Sequence, residues 1–370
     1  MPTTPDPAVR FHAPALPDIE AFLEDAREIV ASGWLSDGRH VGELEARFGI
    51  LCGTPGAVAV SNASDGLIAA LSVLVEPGRE VILPGYTYLA TWQSVRWAGL
   101  VPVVADVDDR GLLDPAAVEA ALSPRSGAIL PVHVAGNPAP MRALRGIADR
   151  VGIPLIADAA HAVGARTADG AVGRDGDMEV FSLGATKQVG AGEGGIVTSA
   201  TARSAERLRQ FAHQGHAPGA IDAVGPGMNL RLAELTAALA NRVLDGLDRQ
   251  LERREATHAR YAAAWDGLPI RLSGPAPGER SAHKDQLVWV VDPRDRRPLR
   301  DHLAAAGVET RGYYDVAVPD LSVFEGRVAS ADRSRTLAAR SFAVPIQPRL
   351  RDDEVARIAD EVVAFYRGPR

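Results

Sequence analysis

Cysteine is almost absent from this 370-residue chain. Cys52 is the only one, so no intrachain disulfide can form, and a reducing cytoplasm suits the sequence. Lysine is nearly as scarce. Of forty basic residues only Lys187 and Lys284 are lysine, and the remaining 38 are arginine. Arginine stays protonated in a protein, whereas lysine can become a neutral nucleophile. A lysine that survives this bias is a candidate for amine chemistry. Lys284 lies in the polar stretch Ser281-Ala-His-Lys-Asp-Gln286 and is expected to be a solvated charge. No uninterrupted apolar run reaches the roughly 18–20 residues of a membrane span, and the Pro-rich, polar segment Met1–Pro17 has no apolar signal core. A net charge of −7 argues against nucleic acid or an anionic membrane as the main partner. The nine histidines are scattered, without zinc-like spacing, and the chain has no Gly-x-Ser-x-Gly elbow, Walker-type loop or internal repeat.

What is present is globular. With 46% hydrophobic and 24% charged residues the composition is that of a packed protein, and the length favours two domains. From about Ala57 to Ser199, short runs rich in Val, Ile and Leu alternate with helical patterns. Strands are expected at Ala57–Ser61, Glu80–Leu83, Val101–Val107, Ala128–Val134, Pro154–Ala157, Val180–Leu183 and Gly195–Thr198. That alternation predicts an α/β fold, a mostly parallel sheet flanked by helices on both faces. The last two strands are joined without a helix, which allows one antiparallel strand. Leu230 to Trp265 reads as one long helical stretch, with Arg249–Glu255 a solvated face, and Leu268–Arg280 reads as a loop. A strand at Leu287–Val291 and helices at Pro298–Ala306 and Glu354–Tyr366 predict a smaller C-terminal α+β domain. The expected division is 1–245 and 246–370.

In open α/β sheets ligands bind beyond the carboxyl ends of the strands, and four segments put polar residues there. Val60-Ser-Asn-Ala-Ser-Asp-Gly66 follows a strand and opens a helix, whose free N–H groups suit a phosphate or a simple N-cap by Ser61 or Asn62 equally well. In Ile156-Ala-Asp-Ala-Ala-His161, Asp158 ends a buried strand and needs a partner: a protonated ring nitrogen, an arginine or a backbone cap. His161 by itself reads as structural. Val180-Phe-Ser-Leu-Gly-Ala-Thr-Lys187 carries a lysine from a strand end into the glycine-dense Gln188–Gly195. A lysine shielded from water there would have a lowered pKa and could form a Schiff base. Gly190, Gly192 and Gly195 match Gly-x-Gly-x-x-Gly, but they precede a strand-like run rather than a helix, which is the wrong context for a dinucleotide fingerprint. In Leu83-Pro-Gly-Tyr-Thr-Tyr-Leu-Ala90, Tyr88 could stack on a flat ring or simply pack.

Taken together and in this order, Ser61-Asn-Ala-Ser-Asp65, Pro131-Val-His133, Asp158-Ala-Ala-His161, Thr186-Lys187, Gly192-Glu-Gly-Gly195 and Asn229-Leu-Arg231 resemble the DegT/StrS-type sugar aminotransferases, a branch of the fold-type I enzymes that use pyridoxal 5'-phosphate (PLP). The resemblance runs from Gly33-Trp-Leu-Ser36 to about Tyr261 and returns at Val344–Pro348. It implies that Lys187 forms the internal aldimine and that Asp158 pairs with the pyridine nitrogen. It implies further that Tyr88 stacks on the ring, that Ala63, Ser64 and Ser182 hold the phosphate, and that His161 lies near the phenolic oxygen. Asn229 would reach the phosphate of a neighbouring subunit, making a homodimer with shared active sites. The implied reaction carries an amino group from glutamate or glutamine to a keto sugar, nucleoside-diphosphate-linked. A keto-cyclitol or another small cyclic ketone is the alternative acceptor, and a non-catalytic regulatory protein is the alternative class. Dehydratases of the family lack the Schiff-base lysine, which is present here. The chain departs from the pattern at Val134-Ala135-Gly136, at Gln188 where Asn is frequent, and near Asp285 and Tyr313, where a His is expected in each case.

Overall fold

The computed structural model describes residues 9–217 and 222–368. The first eight residues of the segment Met1–Pro17 therefore lie outside the described residues. Two four-stranded ribbons make the large sheet. One runs in the order Gly56–Val60, Gly195–Ser199, Met178–Ser182, Ile156–Asp158, and the other in the order Arg327–Val328, Val101–Ala105, Glu80–Pro84, Ser126–Ile129. Parallel bridges Ile129↔Leu155 and Val132↔Asp158 join them edge to edge. All pairings are parallel except those of Gly195–Ser199, which is antiparallel to both neighbours. The helix-free connection legible in the sequence is the reason: a short loop can only return the chain antiparallel.

The strands read as unbroken apolar runs because both faces are covered. On one face Phe48, from the helix Arg39–Cys52, meets Phe181 of the strand Met178–Ser182 with ring centroids 5.7 Å apart. On the other face Leu67 and Leu71, from the helix Ala63–Leu74, share a core with Val180 and Val197. Burying one such side chain stabilises the fold by roughly 1.5–3 kcal/mol, so the two layers fix where the strand ends lie. Ser182, Asp158 and Val60 are the last residues of three strands that run the same way, with the antiparallel Gly195–Ser199 lying between the strands that end at Val60 and Ser182. Their carboxyl ends open on one edge.

The C-terminal part forms an antiparallel sheet, Ile270–Leu272, Gln286–Val290, Ser341–Val344 and Arg311–Gly312. Tyr261 and Trp265 stack at 4.7 Å beneath it, and the Tyr261 hydroxyl donates to the Pro345 carbonyl. Three readings are corrected here. The stretch Leu230–Trp265 is two helices, Glu234–Leu244 and Leu247–Ala264, interrupted at Gly246. Leu268–Arg280 contains the strand Ile270–Leu272, because its β-branched and apolar ends pair with Val288–Val290 despite the prolines that follow. Arg249–Glu255 is not wholly solvated: Arg254 is buried and donates to the carbonyls of His283 and Lys284 at 3.0 and 3.1 Å. A run of charges reads as a solvent face only until a neighbouring segment folds over it. Val9 bridges Val308, so the N-terminal segment adds to the smaller sheet.

Candidate active site

The strand Ile156–Asp158 delivers Asp158 to the sheet edge, and the flanking backbone holds it there. The Asp158 N–H donates to the Pro131 carbonyl and its own carbonyl accepts from His133 N–H. The buried carboxylate accepts from the Thr91 hydroxyl at 2.8 Å and from the Ala160 N–H at 3.1 Å. Burial raises its pKa, and these two donors, with Lys187 and His133, offset only part of that. A cationic ring nitrogen is the partner that would offset the rest. Thr91 is in turn 2.9 Å from Thr87, one turn earlier.

Lys187 sits in the turn after Met178–Ser182, where its N–H donates to the Gly184 carbonyl. Burial first, then the charge of Lys284, lower its ammonium pKa to about 8, against the pull of Asp285, Asp158 and Glu193. A substantial fraction of the amine is therefore neutral near pH 8 and able to attack an aldehyde. The glycines after it do structural work. A Cβ on Gly195 would lie 2.9 Å from the Ala63 nitrogen, so only glycine lets this strand run against the start of the helix Ala63–Leu74. Asn62 caps that helix by accepting from the Asp65 N–H at 2.9 Å, while Ser61 and Asn62 both donate to the Asp65 carboxylate. The cap and phosphate readings are compatible: Asn62 takes the Asp65 N–H and leaves the first-turn N–H groups of Ala63 and Ser64 at a positive helix end. The Ser182 hydroxyl oxygen accepts from the Gly184 N–H at 3.2 Å.

His161 approaches from the turn after Asp158. Its Nδ1 is 3.0 Å from the Tyr313 hydroxyl, and its carbonyl accepts from the Gln188 side chain at 2.6 Å. Burial, then the charges of Lys187 and Lys284, push the imidazole pKa well down, so the ring is neutral. Tyr88 is exposed at the N-cap of the helix Leu89–Trp97, next to Thr87. Asn229 is exposed on a loop remote in sequence from the strand ends, and its side chain accepts from Arg231. Thus Lys187, Asp158 and His161 are brought into one electrostatic neighbourhood, with Ala63, Ser64 and Ser182 at the adjoining strand and helix ends. Tyr88 and Asn229 are exposed in the single chain. A separate cleft of about 780 Å³, lined among others by Arg271, Trp289, Arg333 and Arg340, contains none of these residues.

The expectation for Lys284 is overturned. It is buried, and its Nζ donates to both carboxylate oxygens of Asp285, at 2.8 and 2.9 Å. The hydrophilic letters around it are used inward: Gln286 and Asp285 are buried too. Lys284 and Asp285 also act electrostatically on Lys187, in opposite directions. Thr91 escaped the sequence reading, in which Lys284 is a solvated charge and Asp285 and Tyr313 mark only places where a His is expected. Thr91 left one local trace, as the second threonine of an i, i+4 pair beside Tyr88.

A helix N-terminus, a buried carboxylate short of positive charge and a shielded amine, meeting at one sheet edge, fit a phosphorylated pyridine aldehyde. Comparison with known proteins agrees. The chain is 35% identical to dTDP-3-amino-3,4,6-trideoxy-alpha-D-glucose transaminase of Streptomyces venezuelae, over 95% of this chain and 97% of that protein. It is 36% identical to erythromycin biosynthesis sensory transduction protein EryC1 of Saccharopolyspora erythraea, over 91% and 92%. Among solved structures, DesI in the presence of its TDP-sugar product superposes with a TM-score of 0.90 at 34% identity, covering 99% of this chain and 94% of that one. Residues 17–363 match the model of the DegT/DnrJ/EryC1/StrS aminotransferase family. The chain belongs to that family, and it is a PLP-dependent aminotransferase.

Proposed function

We propose that the chain moves an amino group from glutamate or glutamine to a keto sugar carried on a nucleoside diphosphate, in the cytoplasm, as a homodimer. The observation that carries the reading is the pairing of a half-buried lysine, its pKa lowered to about 8, with a buried carboxylate whose own pKa is raised. When bound, PLP supplies an aldehyde that bonds to amines and a ring that accepts the electron pair left at Cα. The chain's own residues do the rest. Lys187 would hold the aldehyde through its amine and is placed to move a proton at Cα. Asp158, held by Thr91 and Ala160, keeps the ring nitrogen protonated, and the first turn at Ala63 and Ser64, with the Ser182 hydroxyl, holds the phosphate. His161, kept neutral, serves the phenolic oxygen, and Tyr88 covers the ring.

Two supports bear on the acceptor and the assembly. The Streptomyces relative and DesI are both named for dTDP- or TDP-linked sugars. Trp34, Leu35, Tyr88, Leu89 and Trp97 are exposed in the single chain, an apolar surface that a second copy would cover while bringing its Asn229 to the cofactor phosphate. Among the described residues no helix is long and apolar enough to cross a membrane. The test is the two half-reactions. Glutamate or glutamine should bleach the visible band of the PLP-loaded protein, and a dTDP-linked keto sugar should restore it. If neither donor bleaches the band, the donor assignment fails. If only a keto-cyclitol or another small cyclic ketone restores it, the sugar nucleotide is replaced by that acceptor.

A further inference from the structure

Lys284 and Asp285 form an ion pair that is almost fully buried, at 3% and 6% side-chain exposure. Such a pair adds little to stability over two apolar residues of similar size. Stability therefore does not account for its presence, and its placement suggests what does. The segment that carries it is pinned from three sides. Arg254 donates to the carbonyls of His283 and Lys284, the Lys284 N–H donates to the Ala135 carbonyl at 2.9 Å, and the Ala282 N–H donates to the Gly136 carbonyl at 3.0 Å. Gly136 has φ +92°, and a Cβ there would lie 2.9 Å from the His161 carbonyl oxygen and 3.1 Å from the Lys284 nitrogen. The same His161 oxygen accepts from Gln188, the residue after Lys187. Gly136 is thus packed tightly between the backbone of the Lys284 segment and the carbonyl that holds the Lys187 segment.

We propose that the Lys284–Asp285 pair is a positioning element of the active site, two fixed opposite charges that together set the proton affinity of the Lys187 amine. The charged and titratable groups facing each member are these. Lys187 is faced by Lys284, Asp285, Asp158, Glu193 and His161. Lys284 is faced by Asp285, Arg254, Arg311, His12 and His161, and Asp285 by Lys284, His161, His12, Arg254, Tyr313 and Tyr314. A nearby cation disfavours an ammonium and a nearby anion favours it, so the two members act on Lys187 in opposite directions. Burial raises the Asp285 pKa, but the Lys284 ammonium outweighs it and holds the carboxylate ionised. Burial lowers the Lys284 pKa, and the Asp285 carboxylate, in contact with its Nζ, pulls against that and occupies the amine.

The inference rests on Lys187 being the cofactor lysine, so the experiment reads the two claims separately. Borohydride reduction of the PLP-loaded protein, followed by peptide mass spectrometry, finds which lysine carries the cofactor. PLP on Lys284 alone would end the functional reading, and this inference with it. With PLP on Lys187, the pH midpoint of Lys187 is measured in two ways: by trinitrobenzenesulfonate labelling of its peptide in the cofactor-free protein, and by titration of the visible band in the loaded one. In Lys284→Met, Lys187 is the only lysine left. The midpoint should rise by about half a pH unit or more in Lys284→Met, roughly a threefold change in proton affinity. It should fall in Asp285→Asn and return to within a few tenths of a unit of the wild-type value in the double variant. A purely structural role would move both single variants the same way or not at all, and either result overturns the proposal. Should Asp285→Asn fail to fold, because it leaves a buried ammonium unpaired, the rise in Lys284→Met and its cancellation in the double variant decide the question.

Discussion

Two segments of this protein carry the same rare residue in opposite settings. Lys187 rides a glycine-dense turn, half-buried, with no side-chain partner of its own, and its pKa falls to about 8. Lys284 is sealed under Arg254 and gripped by both oxygens of Asp285. The difference shows that an amine is made reactive by isolation as much as by burial. Burial lowers the pKa of both lysines, but an adjacent carboxylate keeps one of them charged and leaves the other free to lose its proton.

The sharpest way to break this comparison is to delete each amine. Lys187→Ala should lower amino transfer by roughly 10³-fold or more, since both the covalent amine and the proton carrier are lost, and reduction with borohydride should then trap no PLP on Lys284. Trapping on Lys284 would show that the two settings are interchangeable. Next in size is the carboxylate opposite Lys187. Asp158→Asn should cost about 10²-fold or more in the half-reaction with donor, because the ring nitrogen loses its counter-ion.

A smaller effect is expected from the residue that aims Asp158. Thr91→Val removes one charge-assisted hydrogen bond, worth about 1.5–3 kcal/mol, of which only the part that differs in the transition state reaches the rate. A loss of roughly fivefold to tenfold in kcat, with KM for the donor nearly unchanged, would distinguish aiming from binding. The smallest prediction concerns stability. A carboxyl whose folded pKa is raised stabilises the fold at low pH, and that contribution is lost as pH rises through the folded value. Cofactor-free Asp158→Asn should therefore melt no lower than the wild type at pH 7. The wild type should gain on it as pH falls through the raised pKa of Asp158. A large drop in Tm at pH 7 would mean that the carboxylate holds the fold rather than awaiting a cation.

Much of the site was legible because it lies on local signals. The run Ser61–Asp65 at a helix start, Asp158 at the end of an apolar strand, and Lys187 before clustered glycines each announce themselves within a few residues. The same locality explains the sheet: short β-branched runs need both faces covered, and the helix-free return at Gly195 makes the antiparallel strand. The readings of Lys284 and Arg249–Glu255 went astray where polarity was taken for exposure. Segments distant in the chain bury them: Arg254 donates to the carbonyls of His283 and Lys284, and the segment of Lys284, itself paired with its neighbour Asp285, is held by the carbonyls of Ala135 and Gly136. The resemblance to a known family carried the role assigned to Asn229, which local pattern alone did not indicate, and favoured stacking for Tyr88, which local pattern left open.

The sequence by itself determined the α/β architecture and where along the chain most of its strands fall. It also placed the lysine, the carboxylate and the capped helix start at strand ends, since hydrophobic period, caps and glycines act over a few residues. Tertiary structure alone decided which charges face one another. A field falls off with distance in space, not along the chain, so Lys284 came to act on Lys187 only when the 96 intervening residues had folded.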